Sequence, residues 1–264
     1  MRGWAIPTLV FCERKIKLDI ITQKFAGFAE RFQFVFVEGS KWKWLVEGLG
    51  VTLKITAVSL IIGIVIGVVV ASIRSSFDKN RETMKKHGGV GYYLLAFLNA
   101  VSKVYLSVIR GTPVVVQLLI MYFIILPSVS NGVAVAMVCF GINSGAYVAE
   151  IFRGGIMSVD EGQFEAGRSL GFNYLQTMRH IIIPQAFKTV LPTLCNEFIV
   201  LIKETSIAGY VGVEDLTKEG DLIRGLTFDA FLPLIGVALI YLALVMILTR
   251  ATGELERRLR RNER

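Results

Sequence analysis

The chain has 264 residues, 53% of them hydrophobic, a mean hydropathy of +0.58 and a formal net charge of +8. A water-soluble domain of this length has no use for apolar runs such as 57–73, 133–148 and 231–248, each approaching the roughly 20 residues that cross about 30 Å of hydrocarbon. Nor does the positive charge indicate nucleic acid, because it is sorted into alternate loops: five Lys and Arg residues fall within 73–92, four within 153–188 and six from 250 onward, while 127–131 has none. The reading is an all-α polytopic membrane protein with about five spans. The positive-inside rule puts the basic loops and the C-terminus in the cytoplasm and, for an odd number of spans, the N-terminus outside.

Residues 1–41 come first, and 1–43 hold eight Lys and Arg on the side that the charge rule makes external. Ile21, Phe25, Phe28 and Phe32 share one helical face, as in a helix lying in the membrane interface. A cytoplasmic N-terminus with a sixth span is the alternative. No apolar core followed by a small-residue cleavage site marks a removable signal. Trp42 and Trp44 suit an aromatic belt before a first span over 46–73, in which Gly63 and Gly67 have the spacing of helix-packing residues. The polar loop RSSFDKNRETMKKHGG follows. A second span, 101–126, has Lys103 and Arg110 in a first half assigned to the cytoplasmic interface, and Pro113 can open a helix at its first turn.

Pro127 and Asn131–Gly132 make an external turn into a third span, 132–151. A cytoplasmic loop over 153–188 leads to a fourth span, 189–211. A polar external segment over 213–227, a fifth span over 230–250 and a basic tail over 251–264 complete the chain. Cys12, Cys139 and Cys195 have neither metal-ligand nor disulfide spacing and read as small buried hydrophobes.

The loop contains DEGQFEAGRSLGFNYLQTMRHIIIP, residues 160–184. Asp160 and Gln163 form an acidic variant of the capping box that starts a helix. Phe164, Ala166, Gly167 and Leu170 supply an apolar face, and Gly171 stands where a left-handed residue ends the helix. Asn173 and Gln176 repeat the cap and start a second helix running toward Ile183. Pro184 marks a kink or a fresh helix. Phe164, Leu170, Phe172, Tyr174, Leu175 and Met178 give the loop more apolar surface than it should leave wet, so a partner is expected. A DNA-reading helix-turn-helix is a poor fit, since only Arg168, Arg179 and His180 are basic and both ends are tethered to spans.

The fourth span carries Asn196, Glu197, Lys203 and Glu204. Glu197 and Glu204 are seven residues apart on one face, and each costs about 2.5–3.5 kcal/mol if it faces lipid at the bilayer centre. One reading is structural: Asn196, Glu197 and Lys203 make interhelical polar pairs, with Arg110 as a possible partner for the carboxylates. The other is a path for a zwitterion, lined by Asn143, Ser144, Glu150, Glu204, Thr205 and Ser206. Glu150 can equally serve Arg153 at the interface.

EAGRSLGFNYLQTMRHIIIP resembles the EAA loop of binding-protein-dependent ABC importers, with Glu165, Ala166, Gly171, Ile181 and Pro184 at the pattern's spacings. Gly167 replaces the second alanine and should loosen the helix by about 1 kcal/mol; Ile183 replaces the leucine. VIRGTPVVVQL (108–118), NSGAYVAEIFRGGIMSVDEGQFEAGRSLG (143–171) and LIKETSIAG (201–209) are similar to the polar amino-acid permeases for histidine, glutamine and arginine. The likeness covers about 42–250.

The resemblance implies a type I importer fold in a bacterial plasma membrane, with 153–188 holding the coupling helices that dock on a separate ATPase subunit. Phe164 and Leu170 would fill the groove, and Glu165 and Arg168 would orient the contact. It also implies a second permease subunit, identical or not, an external solute-binding protein, and a polar amino acid as substrate. No cofactor is expected on this chain, which lacks a GxxxxGK[ST] phosphate cradle; ATP and magnesium belong to the partner. Two alternatives fit less well. An ion-gradient-driven transporter or channel acting without an ATPase should show paired inverted repeats and broken spans at matching positions, and the sequence shows neither. A membrane enzyme should show a His/Cys/Asp cluster, whereas the two histidines, His87 and His180, both fall in cytoplasmic loops.

Overall fold

The computed structural model describes residues 27–87 and 89–261, and among these every regular element is helical. The helices are α1 (Trp42–His87), α2 (Val90–Gly111), α3 (Val114–Ile120), α4 (Gly132–Met157) and α5 (Glu161–Ser169). They continue with α6 (Tyr174–Thr177), α7 (Ile183–Glu204), α8 (Leu216–Thr227) and α9 (Phe231–Arg261). Segments of α1 (Trp42–Lys79), α2, α4 and α9 (Phe231–Leu259) are long and apolar enough to cross a membrane. α7 matches them in length with 22 residues but carries Lys188, Glu197, Lys203 and Glu204. What those side chains face therefore decides whether it can cross.

α1 and α4 form the central pair, and small residues set their distance. A Cβ on Gly67 would lie 2.5 Å from Val148 Cγ1, one on Gly63 would lie 3.0 Å from Ser144 Oγ, and one on Gly141 would lie 2.7 Å from Ile62 Cβ. Ser59 Oγ donates to the Met137 carbonyl at 3.0 Å. The pairs 59–137, 62–141 and 67–148 rise together, so the two helices are parallel.

α2 and α3 return in the opposite sense: Tyr105 Oη donates to the Ile142 carbonyl at 2.6 Å, and Leu118 is buried with Phe140 and Ala136. α7 is also antiparallel to α4, since Val190 meets Gly155 while Glu197 meets Ser144. The last third of α9 lies along the first half of α7. The chain thus traverses the bundle five times in alternating directions: α1, α2 with α3, α4, α7 and α9.

One expected break is present and two expected boundaries move. The span over 101–126 is two helices, the second capped by Pro113, because Pro113 lacks an amide donor and disfavours helical backbone at the residue before it. Thr112 is accordingly extended, at φ −121° and ψ 145°. The break frees carbonyls that lipid cannot satisfy. Gln117 Nε2 takes up the Ile109 carbonyl at 2.7 Å, the Thr112 carbonyl at 3.0 Å and Thr112 Oγ1 at 2.8 Å. The span over 189–211 begins earlier, with α7 at Ile183, and gives way after Glu204 to a 3-10 turn over Thr205–Val211. The tail over 251–264 does not leave the fold at 251, since α9 runs on to Arg261.

The segment over 213–227, expected only as polar, folds inward as α8. Leu216 and Ile223 are buried with Val35, Phe36, Leu45, Leu232 and Val237, because the apolar residues of this mostly polar helix fall on one side of it. Residues 27–40 are helical too, with a π-turn over Gln33–Val37 and a 3-10 turn over Glu38–Ser40. Val35 and Phe36 supply their buried side, Phe28 and Phe32 stay exposed, and Arg31 pairs with Asp229 at 2.6 Å. Ile21, Phe25 and Cys12 lie outside the described residues.

Asp215 caps α8, accepting from the Thr217 and Lys218 amides at 3.2 and 3.1 Å. Burial pushes its carboxyl from the ordinary 3.8 up to about 6, against the pull of those hydrogen bonds. Its contribution to stability is therefore complete below the unfolded value of 3.8 and is lost as pH rises from there through about 6. Asp215→Asn keeps the acceptor and removes the titration. In detergent, the fall in melting temperature between pH 4.5 and 7.5 should be smaller for Asp215→Asn than for the wild type; an equal fall refutes the assignment.

Candidate functional site

The connection between α4 and α7 is a two-armed elbow whose geometry is set by local chemistry. α5 starts at Asp160, whose Oδ1 accepts from the Gly162 amide at 2.7 Å. The expected box with Gln163 does not close, because the Gln163 side chain instead accepts from Gln185 on α7 at 3.2 Å. α5 ends in a Schellman turn: the Phe172 amide reaches the Gly167 carbonyl at 3.0 Å and the Gly171 amide reaches Arg168 at 2.9 Å. Gly171 has φ +79°, left-handed backbone that costs glycine little. At the second arm the capping box is complete, with Asn173 and Gln176 exchanging two hydrogen bonds of 2.9 Å.

α6 widens into a π-turn over Met178–Ile182, in which the Ile183 amide bonds to the Met178 carbonyl. That turn passes the chain into α7, which holds Pro184 in its first turn, where no amide donor is needed; the fresh helix expected at Pro184 is present.

The arms meet at Gly167, which is buried. A Cβ there would lie 2.6 Å from Thr177 Cγ2 and 2.7 Å from Thr177 Oγ1. The loosening expected from a mid-helix glycine is thus offset by a contact that alanine could not make.

On the inner side, Phe164, Ile181 and Met178 pack on Val159, Ile182 and Ala186, and Lys79 of α1 lies over the Phe164 ring. On the outer side, Glu165, Ala166 and Arg168 are exposed, with Leu170 at 70% and Leu175 at 74% exposure. Burial pushes the Tyr174 phenol above its ordinary value, opposed by a hydrogen bond with Ser76. The elbow therefore presents two bare leucines, 170 and 175, beside a cation and an anion.

The polar residues within the bundle fall into two groups. Asn143 and Ser144 are buried and engaged: Asn143 Nδ2 donates to Gln117 Oε1 at 2.9 Å, and Ser144 Oγ donates to Glu197 Oε1 at 2.9 Å. Thr205 is buried, with its hydroxyl on the Ile202 carbonyl at 2.8 Å. Glu150 is a hub for three arginines: Arg74 at 2.7 Å, Arg153 at 3.2 Å and Arg110 at 3.7 Å. Arg110 thus meets Glu150 rather than Glu197 or Glu204.

The second group is open. Asn196 and Lys203 are exposed on α7, and Glu204 and Ser206 are half-buried. Thr189 and Thr193 continue the exposed stripe at helical spacing, beside a groove of about 720 Å³ that Thr249 and Thr252 of α9 also line. The threonines were not singled out from the sequence, although the 189–193–196–203 pattern of polar residues is readable there. Arg74 and Gln117 were also missed; their role depends on neighbours far along the chain.

Residues 88–261 match the family described as the binding-protein-dependent transport system inner membrane component. The chain belongs to that family. The permease is 36% identical to the putative glutamine transport system permease protein of Rickettsia bellii (strain RML369-C) over 231 residues, 86% of this chain and 98% of the relative. It is 37% identical to the arginine transport system permease protein of Bacillus subtilis (strain 168) over 223 residues, 83% and 94% of the two chains. The crystal structure of an amino acid ABC transporter with histidines superimposes with a TM-score of 0.72 at 37% identity, over 84% of the permease and 98% of that chain. The inward-facing MetNI methionine ABC transporter, at 21% identity and a TM-score of 0.68 over 83% and 97%, shares the fold. The permease is thus a membrane protein of the amino-acid ABC transporter class.

Two effects compete at residue 167. Alanine there gains about 1 kcal/mol of helix propensity, while overpacking costs about 1–3 kcal/mol. Gly167→Ala should lower the melting temperature of the purified permease, and adding Thr177→Ala should recover most of the loss. A rise in Gly167→Ala alone contradicts the contact.

Proposed function

We propose that this permease imports polar amino acids by alternating access, driven by a separate ATPase subunit that grips the elbow. The observation that carries the reading is the elbow itself: two tightly capped arms with Leu170 and Leu175 bare on the outer side. In an isolated chain that surface is unfavourable, and it suits a groove on a partner. The chain has no phosphate cradle of its own, so the work of nucleotide hydrolysis has to arrive through a stiff contact. Glu165 and Arg168 orient the docked surface, Ala166 keeps its approach close, and Gly171 sets the corner. Phe164, Ile181 and Pro184 join the elbow to the bundle. By the charge distribution, the elbow and the C-terminus lie in the cytoplasm and the N-terminal segment outside.

The substrate path in this reading is the open α7 stripe of Thr193, Asn196, Lys203 and Glu204, not the closed Asn143–Gln117 and Ser144–Glu197 pairs. A charge on that stripe cannot face lipid without a penalty of about 2.5–3.5 kcal/mol at the bilayer centre. A second permease subunit facing it, identical or homologous, would enclose a polar lane. The relatives' names, for glutamine and arginine systems, support a polar amino acid delivered by an external solute-binding protein. Gly171→Asp should abolish uptake and receptor-stimulated ATP hydrolysis while leaving the protein in the membrane; wild-type uptake by that variant refutes the docking assignment.

A further inference from the structure

α1 does not stop where its apolar run ends. It continues to His87, and between residues 74 and 79 it is tied to two other parts of the protein. Arg74 Nη1 donates to Glu150 Oε1 at 2.7 Å, and Asp78 Oδ2 lies 3.8 Å from Arg153 Nη1, which fastens this segment to the end of α4. Ser76 faces the Tyr174 hydroxyl on the second arm of the elbow closely enough to oppose the upward push of burial on its pKa. Lys79 Nζ lies 3.1 Å from the centroid of the Phe164 ring on the first arm.

At about 100° per residue, 74 and 78 share one face of the helix while 76 and 79 share the opposite one. One short segment therefore holds α4 with one face and both arms of the elbow with the other. The Phe164 ring is fixed from two sides, by the Lys79 ammonium above and by the apolar floor of Val159, Ile182 and Ala186 below. Glu165 and Arg168, with opposite charges on the outer surface, line the same groove of about 340 Å³ as Lys79 and Phe164.

We propose that residues 74–79 of α1 form a strut that sets the angle of the elbow against the bundle, and that Lys79 is a positioning residue for the coupling step, acting through Phe164. The proposal rests on the elbow being the ATPase-docking element. An ammonium over an aromatic face is a weak, orientation-dependent contact, so its removal alters the set of the elbow rather than the fold.

The test uses the complete transporter, this chain with its ATPase and receptor in proteoliposomes, reading ATP consumed per substrate imported. Lys79→Met should retain the ATPase on the permease and raise that ratio by about fivefold. Lys79→Arg should bring it back within about twofold of the wild type, because a guanidinium also seats on an aromatic face. Phe164→Leu should reproduce the Lys79→Met ratio, and the double variant should be no worse than either, as expected of one shared contact. A wild-type ratio in Lys79→Met, an equal failure of Lys79→Arg, or additive defects in the double variant overturns the strut. Should the ATPase fail to bind the unaltered permease, it is the docking assignment that falls.

Discussion

Gly63 and Gly67 bring the backbone of α1 against Ser144 and Val148 of α4, and the other crossings are arranged around that pair. Within a bilayer, apolar surface gains little from turning inward, since lipid tails are as apolar as leucine. Close backbone approach and interhelical hydrogen bonds must supply the association instead. Glycine at 63, 67 and 141 permits the first, and Ser59 on the Met137 carbonyl supplies the second. Because α1 and α4 lie this close, Ser144 can present its hydroxyl to Glu197 and bring α7 into the bundle. Such a bond contributes about 0.6 kcal/mol on average, less than the penalty of leaving the carboxylate against lipid. Its chief effect is to fix which side of α7 is closed and which is open.

Charge is distributed along the same logic. The end of the bundle near the elbow concentrates Arg74, Arg110, Arg153, Asp78 and Glu150, joining α1, α2 and α4. The opposite end holds the 27–40 segment and α8, fastened by Arg31–Asp229 and by the Asp215 cap. Between them the sealed polar pairs face inward, and Thr189, Thr193, Asn196 and Lys203 face out from α7. The sealed pairs and the open stripe thus lie on different sides of the same helix, α7.

Much of this was legible in the sequence wherever the cause is local. Gly171, Asn173 with Gln176, and Pro113 act within one turn of themselves, and each stands where its chemistry requires. The number of crossings followed from apolar runs and charge alternation. The limits of the reading have physical causes as well. Gln117 serves carbonyls on the far side of a helix break and an asparagine 26 residues away, and no periodicity announces that. The pairing of Glu150 with Arg153, three residues on, was readable and is present, but nothing local announces Arg74, 76 positions earlier. Gly167 looked like a weakness because propensity tables do not contain Thr177. α8 looked like a plain loop because its mean polarity hides Leu216 and Ile223.

The contact at Gly167 has one more consequence. Protein interiors are close-packed and transmit strain. At Gly167 the backbone of α5 comes directly against the Thr177 side chain, with room for a hydrogen atom and none for a methyl group. The spacing of the two arms is therefore set by a single backbone-to-side-chain contact, and a larger residue at 167 would wedge them apart.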